Sequence, residues 1–397
     1  MSNLKTKILF FSLLAAGAAA RLYFLPLVSL DMKVYLLPWY DHILQNGAWV
    51  SLGQEFSNYT PPYLYLLTLA VFTHGILPKV AAVKLISILF DFLNAWLVFR
   101  TVQLKARDRS LPLFAAALYL CLPTVLLNSA AWGQADSIYA FFLLACLFCL
   151  LQDKPLPALL LFGAAFSFKA QAVFLAPFLL LMSFKKRVPW RYFLFVPLVY
   201  LLMTLPALAA GRSLSSVAGV YLEQAETFRS LSMKAPNLYL FVSNEHYEAG
   251  LYIGLATAFL AALIWASGFA LLMKDPTRET IVLCAAASAA LMPFLLPKMH
   301  ERYFYLMDAL TFLLVFFIPR LWIPALGAQI VSTATYSVFL FISPQKAPSP
   351  WGAVLLIAAA LLNTVLIAYL LWEQYRFVKA ARSAETRPGG GGKTTGT

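Results

Sequence analysis

An all-α, multi-pass membrane protein is the fold class this sequence predicts, and three observations predict it. The chain of 397 residues is 61% hydrophobic and 12% charged, with a mean hydropathy of +0.77; soluble domains lie near about 45–50% apolar. Apolar runs recur at the length, about 20 residues, that crosses roughly 30 Å of hydrocarbon. The runs do not alternate: "VLLIAAALLNTVLIAYLLW" (354–372) lacks the apolar–polar alternation of a membrane β-barrel strand.

Net charge is +13, from 30 Lys/Arg against 17 Asp/Glu. The excess sits in short loops: Lys5 and Lys7; Arg100, Lys105, Arg107 and Arg109; Lys185, Lys186, Arg187 and Arg191; Lys274 and Arg278; Arg320; and Arg376, Lys379, Arg382 and Arg387. Positive loops mark the cytoplasmic side of a membrane protein. That assignment accounts for the charge without a nucleic-acid partner and puts both termini in the cytoplasm. Lys5 and Lys7 before an apolar stretch read as a signal anchor. The four cysteines (Cys121, Cys146, Cys149 and Cys284) fall in apolar segments, and Cys146-x-x-Cys149 has no second pair, so they read as packing.

The same rule resolves 62–77. As a crossing it would place the basic loop 100–109 outside, and 16 residues is marginal for a span. We expect a helix at the outer surface there, and a second near 33–45, both within one long external segment, 29–79. Twelve spans follow: about 8–28, 80–99, 111–127, 138–152, 156–168, 172–184, 192–210, 250–272, 280–296, 303–319, 321–342 and 351–372. Two of them, 156–168 and 172–184, are too short to cross unless the bilayer thins or protein surrounds them. Residues 211–249 form a second external loop. The membrane domain covers 1–376, and the basic, Gly-rich stretch 377–397 reads as a disordered cytoplasmic tail. No repeat of 20–50 residues and no inverted repeat is evident.

With this topology five polar clusters collect on the outer side: Asp31 in "VSLDMKVY", "NYTPPYLYL" (58–66), "NSAAWGQADSIYA" (128–140), "FSFKAQAVF" (166–174) and "LLPKMHERYFYL" (295–306). Each has an ordinary explanation. Asp31 suits a helix cap, Pro61-Pro62 a helix start, Trp132 an interfacial belt, Lys169 a snorkelling side chain, and Lys298/His300/Arg302 a headgroup anchor. Their coincidence on one face points instead to one site. Lys169, His300 and Arg302 supply charge and donors suited to a lipid phosphate, with Lys298 beside them. Asp31 is an isolated carboxylate able to take a proton from a hydroxyl. Trp39, Tyr40, Tyr59, Tyr63, Trp132, Tyr303 and Tyr305 suit stacking on a sugar face or an isoprenoid chain. No second carboxylate neighbours Asp31 and no His/Cys cluster exists, so no catalytic metal is expected. Glu301 has no assigned role beyond orienting Arg302 or facing a neighbouring helix.

These motifs, "YTPPYLY", "WGQADS", "FKAQ" and "MHERY" after Asp31, resemble the GT-C superfamily of membrane glycosyltransferases that use polyprenyl- or dolichyl-phosphate sugars. The likeness is greatest to the prokaryotic proteins similar to GPI-pathway mannosyltransferases, and spans 31–305. It implies Asp31 as general base, Lys169, His300 and Arg302 as donor-phosphate ligands, and Tyr59, Trp132, Gln134, Asp136, Gln171 and Tyr303 at the sugar and acceptor. It also implies a hexose donor, mannose favoured, an acceptor hydroxyl on a glycan or glycolipid, inversion by single displacement, and no cofactor besides the lipid-phosphate sugar. A prokaryotic plasma membrane is the expected location. One departure is that Met32 follows Asp31, where many relatives carry paired acids, which argues against a metal-dependent variant. The competing reading is a flippase or transporter for a lipid-linked sugar, resting on the mid-span residues Asp91, Asn94 and Asn363; Lys84 and Asp91 share a helix face, but the i+7 spacing sets them two turns apart, which makes a pair between them weak.

Overall fold

The structure, a computed structural model, describes residues 3–343 and 348–385. The chain is an all-α membrane protein. Helix α1 (Asn3–Phe24) leads to a π-helical turn at Met32–Leu36 and then α2 (Leu37–Asn46), α3 (Ala48–Leu52) and α4 (Pro61–Val71). Next come α5 (Lys79–Gln103), α6 (Ser110–Leu120), α7 (Pro123–Leu126), α8 (Asp136–Leu150), α9 (Pro155–Phe168), α10 (Ala176–Phe184), α11 (Phe195–Ala209) and α12 (Leu214–Glu226). The remainder is α13 (Tyr247–Leu272), α14 (Arg278–Leu295), α15 (Tyr305–Phe317), α16 (Trp322–Ser337) and α17 (Pro350–Glu385). The only sheet among the described residues is one parallel pair, β1 (Ser232–Met233) with β2 (Met299–His300).

Seven helices are long and apolar enough to cross a membrane, or eight if the pair Ser110–Leu120 and Pro123–Trp132, bent by 48°, is one span. The difference from twelve expected spans has a physical cause. Residues 136–150, 155–168 and 170–184 form apolar helices too short to meet that length, and α15 covers only 13 residues. At 1.5 Å per residue such helices fall short of the roughly 30 Å hydrocarbon core. They are instead walled by protein. α8 packs on α9 and α5, α14 on α15, and α16 on α17. α14 is buried over most of its length, while α11 and α13 present Leu201, Leu202, Ile253, Phe259 and Ile264 outward. Apolar side chains facing out from long helices are what a lipid solvent permits.

The segment expected as a surface helix at 62–77 is α4, shorter and largely buried, opening on Pro61 at its first turn. The helix expected near 33–45 is present as the π turn plus α2. The stretch expected as a tail from 377 is helical through Glu385, as the end of α17. The Gly-rich sequence from Arg387 onward lies outside the described residues.

Candidate active site

The C-terminal end of α1 and the N-terminal end of α5 meet where Lys84 Nζ donates to the carbonyls of Phe24 (2.9 Å) and Leu27 (2.5 Å). The Phe24 carbonyl, at the end of α1, also accepts from Leu27 N at 3.1 Å, so Lys84 adds to the satisfaction of the chain leaving that helix. Lys84 therefore does not pair with Asp91. Asp91 Oδ2 instead meets Arg21 Nη2 at 2.8 Å and accepts from Ser129 Oγ at 2.5 Å, all buried between helices. This lock fixes the segments that carry Asp31 and Trp132.

Asp31 sits in helical backbone and makes no capping bond, which removes the cap explanation. Its Oδ2 accepts from Trp132 Nε1 (2.9 Å) and Gln134 Nε2 (2.5 Å). Gln134 Oε1 in turn accepts from Tyr59 OH at 3.2 Å. Local geometry explains how residues a hundred positions apart meet. Leu127–Trp132 is a π-helical turn that ends at Gly133, held at φ +77°. π turns occur often at functional sites. A Cβ on Gly133 would approach Met32 Sδ to 2.8 Å, so only glycine lets this turn close against the residue after Asp31. Ser29 Oγ pins the same turn by donating to the Trp132 carbonyl at 2.7 Å.

Trp132 is fully buried, so it is not a belt residue. Phe339 stacks on its ring at 4.5 Å and the Arg302 guanidinium lies 5.5 Å from its centre. Its task is to hold Asp31 rather than to offer an open stacking face. Asp136, at the start of α8, is buried: Oδ1 is 2.6 Å from Lys169 Nζ, and Oδ2 accepts from Asn128 Nδ2 at 2.9 Å. Lys169 lies at the break after α9, between the rings of Tyr59 (5.7 Å) and Tyr139 (6.0 Å). It points inward, not to headgroups. Gln171 is buried on the 3-10 turn that follows.

Arg302 joins these parts. Nη1 lies 3.8 Å from Asp31 Oδ2 and 3.3 Å from Glu301 Oε1, and Nε lies 3.8 Å from Asp136 Oδ2. Burial disfavours the charge on Arg302, but Asp31 foremost, with Tyr303, Glu301 and Asp136, more than offsets it and raises its pKa. Burial, helped by Arg302 and Lys169, pushes His300 well below the ordinary imidazole range, so it is neutral near pH 7. It then serves as a hydrogen-bonding group rather than a third cation. Its ring packs on Tyr303 (5.1 Å) and Phe228 (5.5 Å).

Two expected members lie elsewhere. Lys298, at φ +64°, turns away: its Nζ donates to the Phe228 carbonyl and to Tyr247 OH, and its backbone N donates to the Leu231 carbonyl at 2.7 Å. Tyr305 faces the core, its hydroxyl 3.4 Å from that of Tyr119. Three contributors went unassigned in the sequence. Asn128 could have been suspected from its place in the motif around Asp136. Tyr139 reads there as one more apolar-face aromatic. Nothing local marks β1, Ser232–Met233, as the strand that pairs with the histidine-bearing β2.

Among the described residues, no three His, Cys, Asp or Glu side chains gather to hold a metal ion. The arrangement offers a held carboxylate, a guanidinium within ion-pair range of it, and a buried lysine behind both. No family model matches the chain, and no curated protein matches it either.

Proposed function

We propose that the chain is a membrane glycosyltransferase of the GT-C type, moving a hexose from a polyprenyl-phosphate donor to an acceptor hydroxyl, with no metal. The single observation that carries this reading is the pairing of Asp31 with Arg302 across 3.8 Å, at the meeting of helix breaks from distant parts of the chain. A base and an anion-stabilising cation side by side are what displacement of a lipid phosphate from a sugar requires.

The acceptor hydroxyl gives its proton to Asp31 as its oxygen bonds the anomeric carbon. The anomeric carbon–oxygen bond to phosphate breaks, its electron pair leaves with the phosphate, and the linkage inverts. Two donors already engage Oδ2 of Asp31, while Oδ1 makes no hydrogen bond among the described residues. That second oxygen is the one available to the acceptor. Arg302 receives the departing phosphate, aided by neutral His300. Lys169, paired with Asp136, sets the field behind them. Tyr59, Gln134 and Tyr303 flank the sugar and acceptor space, with Gln171 further back.

In this reading the short helices complete up to twelve crossings inside a protein wall, the termini are cytoplasmic, and the site opens to the external face of a prokaryotic plasma membrane. The acceptor is a glycan or glycolipid, and mannose is favoured by the resemblance of the motifs. A lipid-linked-sugar flippase is the rival. Each of its mid-span candidates has a protein partner, Asp91 in Arg21 and Ser129, Asn94 in the Ser137 carbonyl and Asn363 in the Pro236 carbonyl, while the Oδ1 of each is buried without one. Purified protein incubated with radiolabelled polyprenyl-phosphate hexoses decides between them. Label moving to a new product supports transfer; label crossing the bilayer with its donor intact contradicts it.

A further inference from the structure

Glu301 has no part in the transfer step, yet it is 1% exposed and in contact with the residue that binds phosphate in that scheme. Its Oε1 lies 3.3 Å from Arg302 Nη1, the same nitrogen that faces Asp31. Arg302 Nε is buried without a hydrogen-bond partner, with Asp136 Oδ2 at 3.8 Å. One guanidinium thus faces three carboxylates. Lys169 answers Asp136 directly, and Lys234, from the segment beside β1, acts on Glu301 through space while its Nζ donates to the Ser343 carbonyl at 2.6 Å.

An anion arriving at Arg302 enters a cluster whose positive charge is already matched. It meets Glu301 at the nitrogen it needs. A further negative charge on a buried guanidinium that Glu301 and Asp31 already share favours protonation of the most weakly acidic group there. A phosphodiester is strongly acidic and keeps its charge; a carboxylate yields.

We propose that binding of a phosphodiester anion at Arg302 is coupled to uptake of a proton by Glu301. The coupling rests on the reading of Arg302 as the phosphate ligand and goes beyond it by making Glu301 the group that sets the charge of the site. Burial already raises Glu301 to about 7, with Arg302 opposing, Asp31 reinforcing and Lys234 opposing. The anion raises it further. The other groups able to take the proton are Asp31, on the same guanidinium, and His300, next in the chain.

The test is calorimetric titration of the wild-type protein in nanodiscs with methyl farnesyl phosphate, a phosphodiester whose single charge does not titrate near neutrality. Near pH 8, two buffers of different ionisation heat report uptake of about one proton per anion, and affinity falls about tenfold per pH unit above 7. Glu301→Gln binds with no uptake and a flat pH profile, whereas His300→Asn keeps the wild-type slope. Infrared difference spectra add a protonated-carboxyl band on binding to wild type, and its persistence in Asp31→Asn assigns it to Glu301 even where Glu301→Gln fails to fold; its loss in Asp31→Asn overturns the coupling. Anion binding without proton uptake, or uptake that survives in Glu301→Gln, overturns the coupling. No anion binding by wild type at any pH overturns the phosphate reading beneath it.

Discussion

Lys169 Nζ lies 2.6 Å from Asp136 Oδ1, in a pair whose side chains are 9% and 0% exposed. The lysine therefore reaches its site already neutralised. In the proposed scheme it acts on the donor phosphate through the field it shares with Asp136, and Arg302 is left as the cation that touches it.

Breaking this pair on one side strands a buried charge. Lys169→Met is expected to destabilise the protein by about 3 kcal/mol, because Asp136 then keeps the Asn128 amide and, at 3.8 Å, a guanidinium that Asp31 and Glu301 already share. Lys169→Met combined with Asp136→Asn removes both charges and recovers much of that loss. Unfolding midpoints in one detergent, compared across the three proteins, check it; equal midpoints for the single and double variants contradict the pair's role.

Gly133→Ala tests how the π turn is closed. A non-glycine residue in the left-handed region costs roughly 1–2 kcal/mol. The added Cβ also presses on Met32 Sδ at 2.8 Å, and Met32 is fully buried beside Asp31. Adding Met32→Ala relieves the contact but not the backbone strain. The double variant should therefore be no better than partly restored in donor turnover, relative to Gly133→Ala alone.

Glu301 also predicts a pH dependence of stability. Its folded pKa is about 7 against an ordinary value of 4.5. Between these values the folded state binds more protons than the unfolded state, so stability falls as pH rises through that window. The change is on the order of 3 kcal/mol. Unfolding midpoints measured from pH 4.5 to 7.5 should decline more steeply for wild type than for Glu301→Gln.

The membrane class and the gathering of Asp31, Gln134, Asp136, Lys169 and Arg302 were legible in the sequence because apolar runs mark the helices and the polar clusters fall at their ends. What pairs with what was not. Asp136 and Lys169 are 33 positions apart and Arg21 and Asp91 70, and no local pattern links them. The fate of Lys298 depends on a left-handed backbone angle, and that of Trp132 on a π turn, neither of which periodicity encodes. The number of crossings was not legible either: seven or eight helices reach crossing length among the described residues, and hydropathy cannot tell a helix in lipid from a short apolar helix walled by α5 and α8.

The account stands most directly on Asp31 as the base. Purified wild-type protein and Asp31→Asn are to be compared for single-turnover transfer from a radiolabelled polyprenyl-phosphate hexose, with donor affinity measured in parallel. A general base contributes typically 10²–10⁴-fold. The account predicts a loss of at least about 10²-fold in transfer rate in Asp31→Asn, with donor affinity changed by less than about threefold. Transfer at near the wild-type rate in Asp31→Asn contradicts it.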